Sequence, residues 1–338
     1  MPQYYSTFPS GFEPVIEEFI RTDLPGTQIL RVLDGAVEYR RNAVLNESPR
    51  WFNNSFLCLT TFPRSAKSKD PIQDMVRLAL QRGVDSDVIA RHLPDGAATC
   101  RAMFMVEGLL AHVGDRTLAK TEDFLSMNSG LSIQRARPDV EFWFLYRSEG
   151  LGFLLMRLTR HRDFARELPA GELRPDIASL LVRLSNPKIN DVFLDPFAGH
   201  GGIVKARLAS SPAASVTAGD ANGRLAAELG AVCAPHKHAR ALTMDALDMT
   251  AIPSGSVDAI VCDPPWGDHE PLENPTEFYG RFCAEARRVL KRDGRLVILS
   301  ALKREAEGAL RTGFAMERRL DVLVSGKKAA VFVCRCVK

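Results

Sequence analysis

Four stretches in the second half of the chain each end an apolar run on an aspartate: Asp195 in DPFAGHGG, Asp220 in TAGDANG, Asp245 in TMDALDM and Asp263 in DPPWG. The last is the most distinctive. VDAIVCDPPWGDH, residues 257–269, runs from a buried strand directly into a carboxylate, two prolines, a tryptophan and a glycine. Pro264 and Pro265 fix the backbone, so the Pro264 carbonyl points in a set direction beside the Asp263 side chain. Two acceptors converging on one exocyclic NH2 counter the conjugation that makes a nucleobase amine a poor nucleophile. Trp266 adds a flat face on which a base can stack, worth roughly 1–3 kcal/mol. Acid, fixed carbonyl and aromatic face are the groups that methylation of an aromatic amine needs.

The other three strand ends fit a nucleoside-like ligand. Gly199, Gly201 and Gly202 let the backbone turn tightly and approach a ligand closely, and Asp195 is placed to accept from an amino group. The loop lacks a P-loop lysine and the dinucleotide GxGxxG spacing, and a lone GxGG also serves as an ordinary strand-to-helix turn. Asp220, about 20 residues on, is placed to hold a ribose diol. A cap or turn carboxylate is the alternative there. Asp245 suits an adenine amino group, with Met244 against the ring face, while Asp248 reads as a turn cap.

The elements that must position these residues form a regular series from residue 175 onward. Helix 176–184, strand 192–194, helix 204–209, strand 215–218, helix 224–229, strand 240–244, strand 257–261, helix 276–290, strand 295–299 and a closing hairpin around Ser325-Gly326 alternate as in a doubly wound α/β sheet. In such a sheet ligands sit beyond the carboxyl ends of the strands at the point where strand order reverses. Upstream the pattern differs. Residues 3–8 alternate as a strand, 11–21 have helical spacing, and 29–33 with 36–40 flank Asp34-Gly35, a hairpin signal. That unit is too small to stand alone and should dock on the block immediately downstream. Residues 51–165 read as α+β: helices at 70–82, 86–92 and 121–129, a mixed stretch at 102–110, and strands at 140–146 and 152–158. A stretch rich in proline and charge, 162–175, reads as a linker.

At 338 residues the chain suggests two or three domains, and 46% hydrophobic with 25% charged residues is the balance of a soluble globular protein. Seven cysteines without a paired framework point to a reducing compartment. With no basic-then-apolar leader and no apolar run of the roughly 18 residues a membrane span needs, a cytoplasmic protein without membrane attachment is expected. Cys334 and Cys336 form a lone CxC with no second pair or nearby histidine, so alternate residues of a final strand explain them and no metal site is expected. The net charge of +3 is mild, and residues 1–165 are neutral overall with 20 basic and 20 acidic residues, so a polyanion site must be a local patch. Arg135 and Arg137, then Arg157, Arg160, His161 and Arg162, are the candidates, with an ordinary solvated surface as the equal alternative.

The region from about 172 to 338 resembles the class I S-adenosylmethionine-dependent methyltransferases of the amino-methylating group. DPFAGHGG matches the first motif, Asp220 the second, Asp245 the third, and DPPW the catalytic (D/N)PP(Y/W) motif. In the permuted messenger-RNA adenine methylases the catalytic motif precedes the cofactor motif. Here it comes about 70 residues after, which disfavours that family. YYSTFPSGFEPVIEEFI is similar to the opening of the THUMP-containing RNA methyltransferases. SIQRARPDVEFWFLYRSEGLGFLLMRLTRH looks like the end of a divergent THUMP domain, and GELRPDIASLLVRLSNP resembles the segment before their cofactor motif.

The resemblance implies a three-part architecture. Residues 1–50 would be a small ferredoxin-like α+β unit, 51–165 a divergent α+β THUMP-like RNA-binding domain, and 166–338 an α/β, Rossmann-like class I methyltransferase domain. It implies S-adenosyl-L-methionine as cofactor, held by Asp195, Phe197, Gly199, Gly201, Asp220, Met244 and Asp245. Asp263, Pro264, Pro265 and Trp266 would be catalytic, and Arg135, Arg137, Arg157, Arg160 and Arg162 would meet RNA. It implies tRNA as substrate and N2-methylguanosine as product, and leaves room for a small activating subunit. Two departures stand out. His200 and Gly202 occupy positions where the family has Ser and Thr, and Asp268, His269 and Glu270 come after the DPPWG where a basic residue is usual. The DPPW motif alone serves adenine-N6 and cytosine-N4 amines equally, on RNA or DNA. Protein glutamine methylation normally uses Asn at position 263, and a non-catalytic RNA-binding subunit would not need four intact aspartates.

Overall fold

The computed structural model describes residues 1–45, 47–62, 70–159, 168–169, 171–267 and 272–338. The chain divides into two compact units, residues 1–8 with 15–160 and residues 9–14 with 161–338.

The first unit is built on β1 (Gln3–Thr7), α1 (Glu13–Asp23), β2 (Gln28–Leu33), β3 (Ala36–Arg40), β4 (Asn54–Phe62), α2 (Pro71–Arg82), α3 (Ser86–Ala90), β5 (Thr99–Val106), β6 (Leu109–Leu110), α4 (Asp115–Ser129), β7 (Ser132–Ile133), β8 (Val140–Tyr146) and β9 (Gly152–Arg157). One nine-stranded sheet runs through it in the order β2-β3-β1-β4-β9-β8-β5-β6, with β7 paired to β5. β4 pairs antiparallel with β1 on one side and β9 on the other, so the first two blocks of the sequence share a single sheet. Helix α2 shows how local signals set an element: Asp70 caps it by accepting from the Gln73 N–H at 3.0 Å, Pro71 opens it, and Gly83 with φ 71° closes it. The stretch 102–110, mixed in sequence, is mainly strand β5, and residues 54–62 add a strand that the sequence pattern leaves unassigned.

The second unit contains α5 (Pro175–Leu184), β10 (Val192–Asp195), α6 (Gly202–Leu208), β11 (Ser215–Asp220), α7 (Gly223–Cys233), β12 (Ala239–Thr243), β13 (Val257–Cys262), α8 (Pro275–Val289), β14 (Leu290–Ser300), α9 (Lys303–Leu310), β15 (Phe314–Val324) and β16 (Lys327–Cys336). Its sheet runs β12-β11-β10-β13-β14-β16-β15, parallel from β12 to β14 and antiparallel at β16 and β15. The order grows from β10 outward to β11 and β12, then jumps to β13 on its other side. The switch point therefore lies between β10 and β13. Apart from Asp195 and Asp258 both strands are apolar, and all but Val192 and Asp258 are buried, as suits central parallel strands. Helix α8 starts at Asn274, which accepts from the Glu277 N–H at 3.2 Å, and packs Tyr279, Phe282, Cys283, Ala286 and Val289 into the core. The last hairpin turns on Ser325 and Gly326, both with positive φ (49° and 82°), the type I′ geometry that matches strand twist. Cys334 and Cys336 lie two apart on β16 and both join the buried core beside α8. Among the described residues no helix is long and apolar enough to cross a membrane, and none form a metal-ligand cluster.

Candidate active site

The carboxyl ends of β10 and β13 place Asp195 and Asp263 on either side of the switch point. Asp195 is wholly buried. Its Oδ1 accepts from the Phe197 N–H at 3.2 Å, while Oδ2 is buried without a hydrogen-bond partner. Burial pushes its carboxyl well above the usual range, and the charges of Asp263 and Asp220 push it the same way. An orphaned carboxylate oxygen in a dry site is costly unless a donor arrives. The fitting donor is a cationic ammonium such as that of an amino-acid moiety.

The glycine loop after β10 is held on three sides. Ala198 N–H donates to the Gly219 carbonyl at 2.9 Å, Gly199 N–H donates to Asp220 Oδ2 at 2.9 Å, and Gly201 N–H donates to the Ala198 carbonyl at 2.7 Å. Gly199 and Gly201 have φ of 51° and 83°, a region in which a side chain is strained. A Cβ at Gly199 would meet nothing within 4 Å, so the loop faces open space there. From behind, Lys205 of α6 pairs with the buried Glu172 at 3.0 Å, and the Leu173 carbonyl lies 3.3 Å from where a Gly202 Cβ would stand. The Phe197 ring turns toward α8, tilted against Phe278 and edge-on to Phe282 with centroids 5.8 and 5.0 Å away. It thus ties the loop to α8. His200 sits 3.5 Å from Glu228, at the edge of this loop.

Asp220 ends β11 and spends its carboxylate on the loop: Oδ2 on Gly199 and Oδ1 on the Asn222 N–H at 2.9 Å. Sequence spacing places it for a ribose diol; the structure adds that it shapes the loop beside it. Met244, just past β12, is buried, and Asp245 is exposed with Oδ1 accepting from the Leu247 N–H at 2.8 Å. Gly219 belongs to the site without any sequence signal of its own. A Cβ there would stand 2.3 Å from Met244 Cε and 3.5 Å from Pro196 Cα, so its bareness lets Met244 lie across the floor between the β10 and β11 ends.

At β13, Asp263 is half-buried and Pro264 fully so, with Pro265 and Trp266 half-buried. Burial raises the Asp263 carboxyl to about 7, and the Trp266 N–H opposes this by donating to Oδ1 at 2.8 Å. Tyr279 of α8 lies near enough to feel the Asp263 charge, and its hydroxyl shares a 2.7 Å hydrogen bond with Ser300 at the end of β14. Residues 268–270, the acidic run after the motif, lie outside the described residues.

The arginines expected to meet RNA divide differently. Arg135 is exposed but doubly bonded to Glu122, both at 2.8 Å. Arg157, on β9, pairs with Glu141 on β8 at 2.9 Å. The β8–β9 register opposes Phe142 to Met156, which brings those two side chains together. Arg157 is thus committed within the sheet rather than free for phosphate. Arg137 is exposed, and Arg160 and Arg162 lie outside the described residues.

A parallel sheet that switches order between a glycine-loop strand and a DPPW strand, with two further acidic strand ends beside it, is the architecture of a class I methyltransferase. Residues 162–223 and 224–328 match the family described as RMKL-like, methyltransferase domain. Over 247 residues the chain is 28% identical to the tRNA (guanine(6)-N2)-methyltransferase of Thermus thermophilus, covering 71% of this chain and 73% of that protein. The fold is similar over the whole of both chains to TrmN from Thermus thermophilus, with a TM-score of 0.77 at 24% identity. It is also similar to SMU.472, a candidate methyltransferase solved with SAH, over 98% of this chain and 97% of that one, with a TM-score of 0.68 at 14% identity. The chain is a methyltransferase.

Proposed function

We propose that this enzyme transfers a methyl group from S-adenosyl-L-methionine to the exocyclic N2 amine of a guanosine in tRNA. The observation that carries the reading is the pairing of Asp195 and Asp263 across the switch point: one dry acceptor for a cationic cofactor group, one half-open acceptor beside a proline-fixed carbonyl and an indole. The name of the T. thermophilus relative supports guanine-N2 and tRNA as the target. The cofactor supplies a methyl already activated on a sulfonium, so alignment and charge placement are the protein's tasks. Asp195 receives the cofactor ammonium, the loop at Gly199 and Gly201 lets the backbone lie against it, and Asp220 holds loop and ribose together. Met244 supports the adenine face and Asp245 its edge, while Phe197 locks the loop to α8.

The target base flips out of its helix, stacks on Trp266 and presents its amine to the Asp263 carboxylate and the Pro264 carbonyl. Asp263 draws off the proton as the new N–C bond forms. In the domain scheme, 1–50 and 51–165 are the ferredoxin-like and THUMP-like parts that hold the tRNA body by shape and phosphate contact, and 166–338 carries the chemistry. Arg137 is the described arginine among the five candidates best disposed to meet phosphate. Seven free, buried cysteines favour a reducing compartment such as the cytoplasm.

The test is incubation of the purified chain with labelled S-adenosylmethionine and unmodified bulk tRNA, followed by nucleoside mass analysis. Labelled N2-methylguanosine is expected. Label in N6-methyladenosine or N4-methylcytidine overturns the guanine assignment. Label that appears only when cell extract is added assigns the reaction to a complex with a small activating subunit.

A further inference from the structure

We infer that the Trp266 indole N–H is a positioning donor for Asp263, pinning one carboxylate oxygen so that the other is aimed at the incoming amine. The inference rests on the reading of Asp263 as the amine's acceptor. It goes beyond the stacking role that an aromatic at this place suggests, because it uses the edge of the ring rather than its face.

The geometry carries it. Trp266 Nε1 lies 2.8 Å from Asp263 Oδ1, and the two prolines between them hold the backbone that sets this distance. Gly267 comes next with φ 86°, so the backbone turns immediately after the indole. An aspartate carboxyl rotates broadly about its last torsion. Fixing Oδ1 therefore fixes where Oδ2 points. The constraint is mutual, since an indole whose N–H is committed to Asp263 has its face held in one plane, ready for a base.

The surroundings make the donor consequential. The titratable groups that feel the Asp263 charge are Cys262 on its own strand, Tyr279 on α8 and Asp195 at the end of β10, with Asp220 of β11 acting also on Asp195. None of these brings a positive charge to the carboxylate, and burial works against its ionised form. The indole N–H works for it. Losing the N–H therefore makes Asp263 harder to ionise as well as less well aimed.

Trp266→Phe keeps an aromatic face and removes the donor. The measurement is the pH profile of kcat/KM on unmodified tRNA at saturating S-adenosylmethionine, for wild type and variant. The wild-type acidic limb is expected near the Asp263 value of about 7. In the variant that limb moves up by about one pH unit, the size of one charge-assisted hydrogen bond, making the enzyme about fivefold slower at pH 7 with the gap closing toward pH 9. A limb in the same place in both proteins overturns the inference, and so does a loss that is equal at every pH, which is what a ring acting only by stacking or packing would give. A wild-type profile with no limb near neutrality overturns the underlying reading of Asp263 instead. Should the variant fail to fold, the indole proton resonance of Trp266 in the wild-type protein decides: it should titrate with the carboxylate, and a signal flat through neutrality overturns the inference.

Discussion

The ends of β10 and β13 are neighbours in one sheet, each finished by an aspartate, yet the two carboxylates live in opposite circumstances. Asp195 is sealed, bonded once by backbone and left with an empty oxygen. Asp263 is half open and braced by an indole. Burial raises both, and Asp195 bears in addition the charges of Asp263 and Asp220. The comparison teaches that a strand end at a switch point does not define a role. The residues after it do: the Phe197 backbone N–H takes one oxygen of Asp195, whereas the Trp266 indole N–H takes one of Asp263.

The largest break in this comparison comes from Asp263→Ala. Turnover should fall by on the order of 10³-fold while cofactor affinity stays within about twofold, because the acceptor for the amine is gone and the cofactor side is untouched. Single-turnover assays and calorimetry with S-adenosylhomocysteine separate the two. Loss of binding together with turnover would erase the distinction between the strand ends.

Asp195→Asn should do the reverse. Replacing a charge-assisted acceptor with an amide is expected to weaken S-adenosylhomocysteine binding by roughly 10- to 100-fold. The free protein should become more stable at neutral pH. The sign comes from the raised carboxyl: folded Asp195 holds its proton where the unfolded chain has released it, so stability is lost as pH climbs above about 4, the ordinary carboxyl value. Asp263 adds the same trend, over a window from about 4 to about 7. An amide has no proton to lose, and a rise in Tm of a few degrees at pH 7, absent at pH 4, is the expected reading. A variant that binds normally would show that the orphaned oxygen faces no ligand.

Gly219→Ala sharpens the cofactor side alone. The new Cβ would collide with the flexible end of Met244, which must swing aside, so a several-fold loss of cofactor affinity with unchanged kcat is expected. The smallest effects belong to the arginines. Arg137→Ala should lower the salt dependence of tRNA binding by about one unit of slope, and Arg157→Ala should leave it unchanged. Equal effects would mean that the Glu141 pair opens when RNA binds.

Much of this site was legible in the sequence because strand ends announce themselves. An apolar run that stops on Asp-Pro-Pro-Trp, or on Asp with glycines after it, marks both the strand and the side chain beyond it. What stayed hidden depends on register and on distance. Arg157 and Glu141 are 16 residues apart, and only the pairing of β8 with β9 makes them partners. Gly219 reads as one more turn glycine until Met244 is laid across it. β4 escaped because NSFLCLTTF, buried over much of its length, lacks the alternation that marks a strand with one wet face. α9 escaped because KREAEGAL buries only Ala306 and Leu310 among charges. The Trp266–Asp263 bond is a matter of side-chain torsion, which no spacing encodes.

The strand β4 that joins two blocks of sequence into one sheet also sets a timetable for synthesis. Its partner β1 is already made when β4 emerges, but its other partner, β9, begins 90 residues after β4 ends. At roughly 5–20 residues per second that interval lasts roughly 5–20 s. Throughout it a strand with Phe56, Leu57 and Phe62 presents an unpaired edge. The nascent chain is therefore most open to misassembly before its catalytic half has been translated at all.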